Sequence, residues 1–271
     1  MAAGAVYRPL RERLHGVDTG WCYHSLRPAQ RWAASAEAVA LAKRASVALG
    51  AGQSRTVLPA FRSCVGKVMD IMEALILVDV QNDFLPGGAL AVPEGDQVIP
   101  VINDLMSRFE LVVATRDWHP ADHLSFASQH PGRKVGEIID LDGLEQILWP
   151  DHCVQGTEGA AFAEGLNADG IHHVLYKGTD RRIDSYSGFF DNGHRKATGL
   201  ADLLDDRGVK QVTIAGLATD YCVKFTVLDA CRLGYETRVV RDGIRAVNLN
   251  PGDGDKAIDE MREAGAQVVE M

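Results

Sequence analysis

The sequence predicts an α/β protein, a three-layer α/β/α sandwich around a mainly parallel sheet of roughly six strands. Three observations lead there. Short apolar runs such as Ala74 to Val78 and Val212 to Leu217 suit buried strands. They alternate with segments of helical periodicity, as right-handed crossovers in a sheet covered on both faces require. Polar residues able to do chemistry stand at the carboxyl ends of several runs, where such sheets place their sites.

The elements follow in order. Residues 74–79 form a strand ending in Asp79, and residues 98–109 a helix with Ile99, Ile102, Leu105 and Met106 on one side. Strands are expected at 111–115 and 171–176, then a short helix at 198–206 with Gly208 as its stop. A fourth strand at 211–216 leads into a helix from about Asp220 to Leu233, and a fifth strand covers 236–240. A helix at 256–264 and a strand at 266–270 close the pattern.

Residues 1–70 read differently. They are rich in Ala and Arg, with one plausible helix over 28–49 and a net charge of +6. They form an N-terminal extension, read as a small appendage, a weak targeting segment, or sequence upstream of the true start with Met69 or Met72 as initiator, ahead of a catalytic domain over 71–271. That remainder carries a net charge of −15, which argues against a nucleic-acid-binding enzyme, whose contact surface should be basic. The apolar runs are far too short for a bilayer core of about 30 Å, and no segment has the apolar centre of a signal peptide. Five cysteines are too few for a disulfide scaffold in 271 residues, so reduced thiols in a cytoplasmic protein are expected.

Cys222 follows a strand-to-helix turn, where a helix N-terminus should lower a thiol pKa and make a nucleophile. The plainer alternative is a small buried apolar residue, the reading given to Cys22, Cys64, Cys153 and Cys231. Asp79 could take the thiol proton, or merely form a turn. Lys177 would orient both, or be an ordinary solvated lysine. Backbone N–H groups of Ala218 and Cys222 could hold an oxyanion. Asp117 and His119, two residues apart in an extended segment, point the same way and can share an ion with His152. One carboxylate and two imidazoles suit zinc first, with iron or manganese also able to fit. His123 is a candidate supporting or fourth ligand, while His130, His172, His173 and His194 are read as loop histidines. No strand leads into a G-x-G-x-x-G turn, which speaks against a dinucleotide-binding oxidoreductase.

Five segments stand out together: Leu77-Val-Asp-Val-Gln-Asn-Asp-Phe-Leu-Pro-Gly-Gly-Ala-Leu90, Ala114-Thr-Arg-Asp-Trp-His-Pro120, Trp149-Pro-Asp-His-Cys-Val-Gln-Gly156, Lys177-Gly178 with Asp184-Ser-Tyr-Ser-Gly-Phe189, and Gly216-Leu-Ala-Thr-Asp-Tyr-Cys-Val223. They resemble the nicotinamidase/pyrazinamidase family of the isochorismatase-like hydrolases. The resemblance implies hydrolysis of nicotinamide to nicotinate and ammonia, pyrazinamide being a further substrate, with Asp79, Lys177 and Cys222 as catalytic residues. It also implies a cis Leu217–Ala218 peptide and a pyridine ring held between Phe84 and Trp149, with Tyr186 and Tyr221 nearby. The metal is implied to hold the ring nitrogen. The partner is then a small molecule, with neither nucleic acid nor membrane, and self-association is compatible with the fold. Rival readings are a carbamoyl or ureido amidohydrolase of the same superfamily, an isochorismate hydrolase, and a non-catalytic metal-stabilised module.

Overall fold

The structure, a computed structural model, describes residues 72–270. The helix expected at 28–49, the boundary at residue 70, Met69 and the cysteines at 22 and 64 lie outside the described residues.

The strands are β1 (Met72–Val78), β2 (Leu111–Asp117), β3 (Ile138–Leu141), β4 (Leu144–Ile147), β5 (His173–Lys177), β6 (Val209–Leu217), β7 (Glu236–Arg245) and β8 (Gln267–Val269). The helices are α1 (Val98–Met106), α2 (Leu200–Asp206), α3 (Lys224–Leu233) and α4 (Asp253–Glu263). Six strands form one sheet in the order β5-β2-β1-β6-β7-β8, with every neighbouring pair parallel. The sandwich expected from the sequence is therefore present.

Strand β1 shows why the run is apolar throughout. Alternate side chains go to opposite faces. Leu75 and Leu77 pack with Val98, Ile102 and Leu105 of α1. Ala74, Ile76 and Val78 pack on the other side with Leu200, Leu204, Val227, Ile258 and Met261 from α2, α3 and α4. All five residues of 74–78 are buried, and each large one contributes about 1.5–3 kcal/mol by leaving water.

Boundaries shift for local reasons. Helix α2 starts at Leu200, whose N–H donates to Thr198 Oγ1, after Gly199 at φ +97°. Helix α4 starts three residues earlier than expected, because the Gly254 N–H is capped by Asn248 Oδ1. The helix expected from Asp220 divides: residues Thr219–Val223 form a π-helical turn, with the Val223 N–H on the Ala218 carbonyl, and α3 begins only at Lys224. The antiparallel hairpin β3–β4 has no counterpart among the expected elements. Its turn residues Asp142 and Gly143 both have positive φ, the geometry that Asp-Gly favours in a two-residue hairpin.

The topology then places the site. Asp117 and Lys177 end β2 and β5, Asp79 follows β1, and Ala218 to Cys222 follow β6. These four strands are consecutive neighbours, so their carboxyl ends line one edge.

Candidate active site

Lys177 is the hub. Its Nζ lies 2.8 Å from Asp79 Oδ2 and 2.5 Å from Asp117 Oδ1, and it donates to the Ser185 carbonyl at 2.8 Å and to Cys222 Sγ at 3.3 Å. Lysine, aspartates and thiol are all buried. Asp79, Asp117 and Cys222 each bring one polar atom within 4.8 Å of the others. The alternative of a solvated lysine is thereby removed. Thr115 Oγ1 donates to Asp79 Oδ1 at 2.7 Å and fixes the carboxylate from β2. Asp79 sits at φ +49°, a left-handed conformation that turns the chain out of the sheet.

Burial raises the Asp79 carboxyl from 3.8 to about 6, and the Asp117 charge adds to this, while Lys177 and the Thr115 hydroxyl oppose it. Asp117 goes the other way: burial would raise it, but Lys177 and the flanking histidines hold it well below the usual carboxylate range. The Lys177 ammonium keeps its charge, because Asp117, Asp79 and Cys222 outweigh burial.

Cys222 corrects the sequence reading. Its thiol is pushed up, not down. Burial dominates, Lys177 opposes it, and the Asp79 and Asp117 carboxylates add to it. The helix expected from about Asp220 starts only at Lys224, so Cys222 lies inside the π turn. The Leu217–Ala218 peptide immediately before that turn is cis. Ala218 and Cys222 both line the same pocket.

The second cluster adjoins the first through Asp117, whose Oδ1 faces Lys177 while Oδ2 lies 3.7 Å from His119 Nε2 and 3.9 Å from His152 Nε2. His119 Nδ1 is 2.9 Å from the Gly178 carbonyl, and His152 Nδ1 is 2.8 Å from the Pro150 carbonyl. A carbonyl only accepts, so each Nδ1 carries the hydrogen and each Nε2 faces Asp117; burial would lower His119, but the Asp117 carboxylate outweighs it and raises it. Ligand atoms of Asp117, His119 and His152 lie within 4.8 Å of one another. His119 Nε2 is buried without a hydrogen-bond partner. Burial and His119 lower His152 to about 4, which leaves it a neutral ligand near pH 7. Two carboxylates against one lysine leave negative charge to be offset. The residues present fit a divalent cation.

His123 adjoins this cluster, with its Nε2 buried and without a hydrogen-bond partner. Its ring centre is 4.5 Å from that of His119, its Nδ1 pairs with Ser125 Oγ at 2.7 Å, and its nitrogen groups with Asp184 and His119. Gly178, at φ +63°, has its hydrogen against the His119 imidazole, so a methyl there would overlap the ring. Gln81 was not singled out from the sequence. Fully buried, it holds the Asp117 backbone from both sides, accepting its N–H at 2.7 Å and donating to its carbonyl at 2.8 Å. An amide two residues beyond a strand-end aspartate was the available signal.

Phe84, Trp149, Tyr186 and Tyr221 line a pocket together with Asp117, His152, Ala218 and Cys222. Trp149 and Tyr221 meet edge to face with centroids 4.9 Å apart, and the Phe84 ring meets His152 at 5.7 Å. The remaining histidines take ordinary roles. His130 bonds the Leu124 carbonyl, His172 accepts the Val112 N–H, His173 meets Arg207, and His194 faces Asp229. Cys153 is buried in the core.

Residues 73–271 match the isochorismatase domain family. A nicotinamidase of Escherichia coli is 54% identical over 199 residues, which are 72% of this chain and 93% of that protein. The structure of a nicotinamidase/pyrazinamidase from Acinetobacter baumannii is 44% identical with a TM-score of 0.72, covering 74% of this chain and 96% of the other. The structure of a Pyrococcus horikoshii pyrazinamidase in complex with zinc is 40% identical with a TM-score of 0.60, covering 74% and 99%.

Proposed function

The chain belongs to the nicotinamidases of the isochorismatase domain family, and from that premise we propose that it hydrolyses nicotinamide to nicotinate and ammonia through a thioester on Cys222. The observation that carries the mechanism is the single lysine bridging base, thiol and metal-ligand carboxylate: Asp79, Cys222 and Asp117 all lie within 3.3 Å of Lys177 Nζ.

Asp79 is the base. Its elevated pKa makes it a better proton acceptor than an ordinary carboxylate, yet leaves it ionised near neutrality. The thiol holds its proton at rest, so the proton passes to Asp79 as sulfur attacks the carboxamide carbon. Free thiolate need not accumulate. Lys177 stabilises the sulfur as charge develops, and the Ala218 and Cys222 N–H groups hold the oxyanion. The C–N bond then breaks, and Asp79 returns the proton to the departing ammonia. Water adds to the thioester, losing a proton to Asp79. The C–S bond breaks, nicotinate leaves, and the proton goes back to sulfur.

Asp117, His119 and His152 would hold one divalent ion, zinc before iron or manganese, which when bound supplies a Lewis acid for the pyridine nitrogen. The zinc-bound pyrazinamidase relative supports that choice. Phe84, Trp149, Tyr186 and Tyr221 enclose the ring and orient its amide toward sulfur. Pyrazinamide, with the same carboxamide and a ring nitrogen, is the second substrate. The described residues contain no helix long and apolar enough to cross a membrane, and the cytoplasm is the proposed compartment. Ammonia release by wild type and Cys222→Ala, before and after chelation, tests the reading. Undiminished release by the variant would refute it.

A further inference from the structure

The β3–β4 hairpin sends one side chain into the interior. Gln146 is buried, whereas its neighbours Glu145 and Leu144 face outward or lie half-buried. Its amide nitrogen lies 2.8 Å from the Ile147 carbonyl, 3.2 Å from Tyr186 Oη and 3.3 Å from Asp184 Oδ2. Tyr186 and Asp184 both line the pocket that contains Cys222. A residue from a hairpin outside the main sheet thus reaches the wall of the active site.

The hydroxyl of Tyr186 has a second donor. Trp149 Nε1 points to it at 3.0 Å, and an indole N–H can only donate. Two donors converging on a phenol oxygen occupy its lone pairs and turn its own hydrogen away from both. Tyr186 is also held as a neutral phenol, because burial and the Asp184 charge push its pKa well up. Its hydrogen therefore points away from Gln146 and Trp149, on a side chain that lines the pocket. Asp184 is itself fixed by the Ser185 N–H at 2.7 Å on Oδ1; its Oδ2 lies 3.3 Å from the Gln146 amide, whose two hydrogens go to the shorter contacts with Ile147 and Tyr186.

We propose that Gln146 is a positioning residue for substrate binding: by donating to Tyr186 Oη it sets the direction in which the phenol presents its hydrogen to the bound carboxamide substrate. The hairpin is then part of the binding site, although none of its residues need touch the substrate. The inference rests on the nicotinamidase reading above.

The experiment measures kcat and KM for nicotinamide in wild type, Gln146→Leu, Gln146→Met, Tyr186→Phe and the Gln146→Leu/Tyr186→Phe double variant. Met keeps the length of Gln but has no N–H or O–H to donate, so it separates loss of the donor from loss of packing. Both Gln146 variants are expected to raise KM about tenfold, a change of about 1.4 kcal/mol, with kcat within about twofold of wild type. The Trp149 emission should shift in both, since its indole N–H shares the hydroxyl. In the Tyr186→Phe background, adding Gln146→Leu should raise KM no further, because the hydroxyl through which it acts is gone. An unchanged KM in Gln146→Met, or a full additive penalty in the double variant, would overturn the proposal. Wild-type activity that survives Cys222→Ala would instead overturn the catalytic reading, and the two failures are distinguishable.

Discussion

The two halves of the site are built differently. The groups proposed for acyl transfer, Asp79, Lys177 and Cys222, hang from the ends of β1, β5 and β6, where adjacent parallel strands hold them. The groups proposed to receive the ring come from loops: Phe84 after β1, Trp149 and His152 between β2 and β5, Tyr186 after β5 and Tyr221 after β6, with the β3–β4 hairpin behind Tyr186. That wall is tied together by side chains: Gln81 on the Asp117 backbone, Asp83 Oδ2 on the Cys153 N–H at 2.7 Å, and Gln146 on Tyr186. The sheet gives the reacting atoms a rigid frame, while the wall depends on individual hydrogen bonds. Damage to the first should appear in kcat, and damage to the second in KM.

Lys177→Met should show the largest effect, because this residue serves both halves. The expected loss in kcat is about 10⁴-fold or more, on the scale of removing a member of a catalytic unit. Stability should fall as well, by about 3–5 kcal/mol, since two buried carboxylates lose their cation. Ammonia release and urea midpoints measure the two effects. A variant with wild-type stability would mean that the lysine does not neutralise both aspartates.

Disruption of the ligand cluster should come next. His152→Ala or chelation is expected to lower kcat/KM by about 10–100-fold. Circular dichroism should remain folded, because Asp117 keeps Lys177 as its partner. Unfolding on chelation would favour the metal-stabilised module instead. Gly178→Ala is a milder version: the new methyl displaces the His119 ring, so metal affinity should fall about tenfold while Cys222 still reacts with iodoacetamide.

The acid limb of kcat/KM sharpens the comparison further. Asp79 must be ionised to act, and its folded-state pKa is raised to about 6. Activity should be full above that value and decline about tenfold per pH unit below it. A limb near pH 4 would assign the base elsewhere. The smallest effect is expected from removing residues 1–68, which lie outside the family match and the described residues: kcat/KM should stay within about twofold.

The two halves also differed in how legible they were. The sheet could be read because buried strands carry an unmistakable composition: 74–78 is apolar at every position. Its topology brings the strand-end residues together. The wall was harder. Residues 138–147 have no continuous apolar run, and the Asp142-Gly143 turn signal stood between strands of four residues each. Gln146 and Gln81 carry no chemistry of their own, so nothing marks them until their partners are located. The thiol was misjudged for a related reason: its environment is set by two distant carboxylates and by burial, which the local turn sequence does not contain.

The central claim is that Cys222 carries the acyl group. Acid-quenching the wild-type enzyme during turnover of nicotinamide, followed by peptide mass analysis, should find a nicotinoyl adduct on the peptide containing Cys222. Cys222→Ala should give no adduct and no ammonia. Ammonia release by Cys222→Ala at the wild-type rate, or an adduct on another residue, would contradict the account.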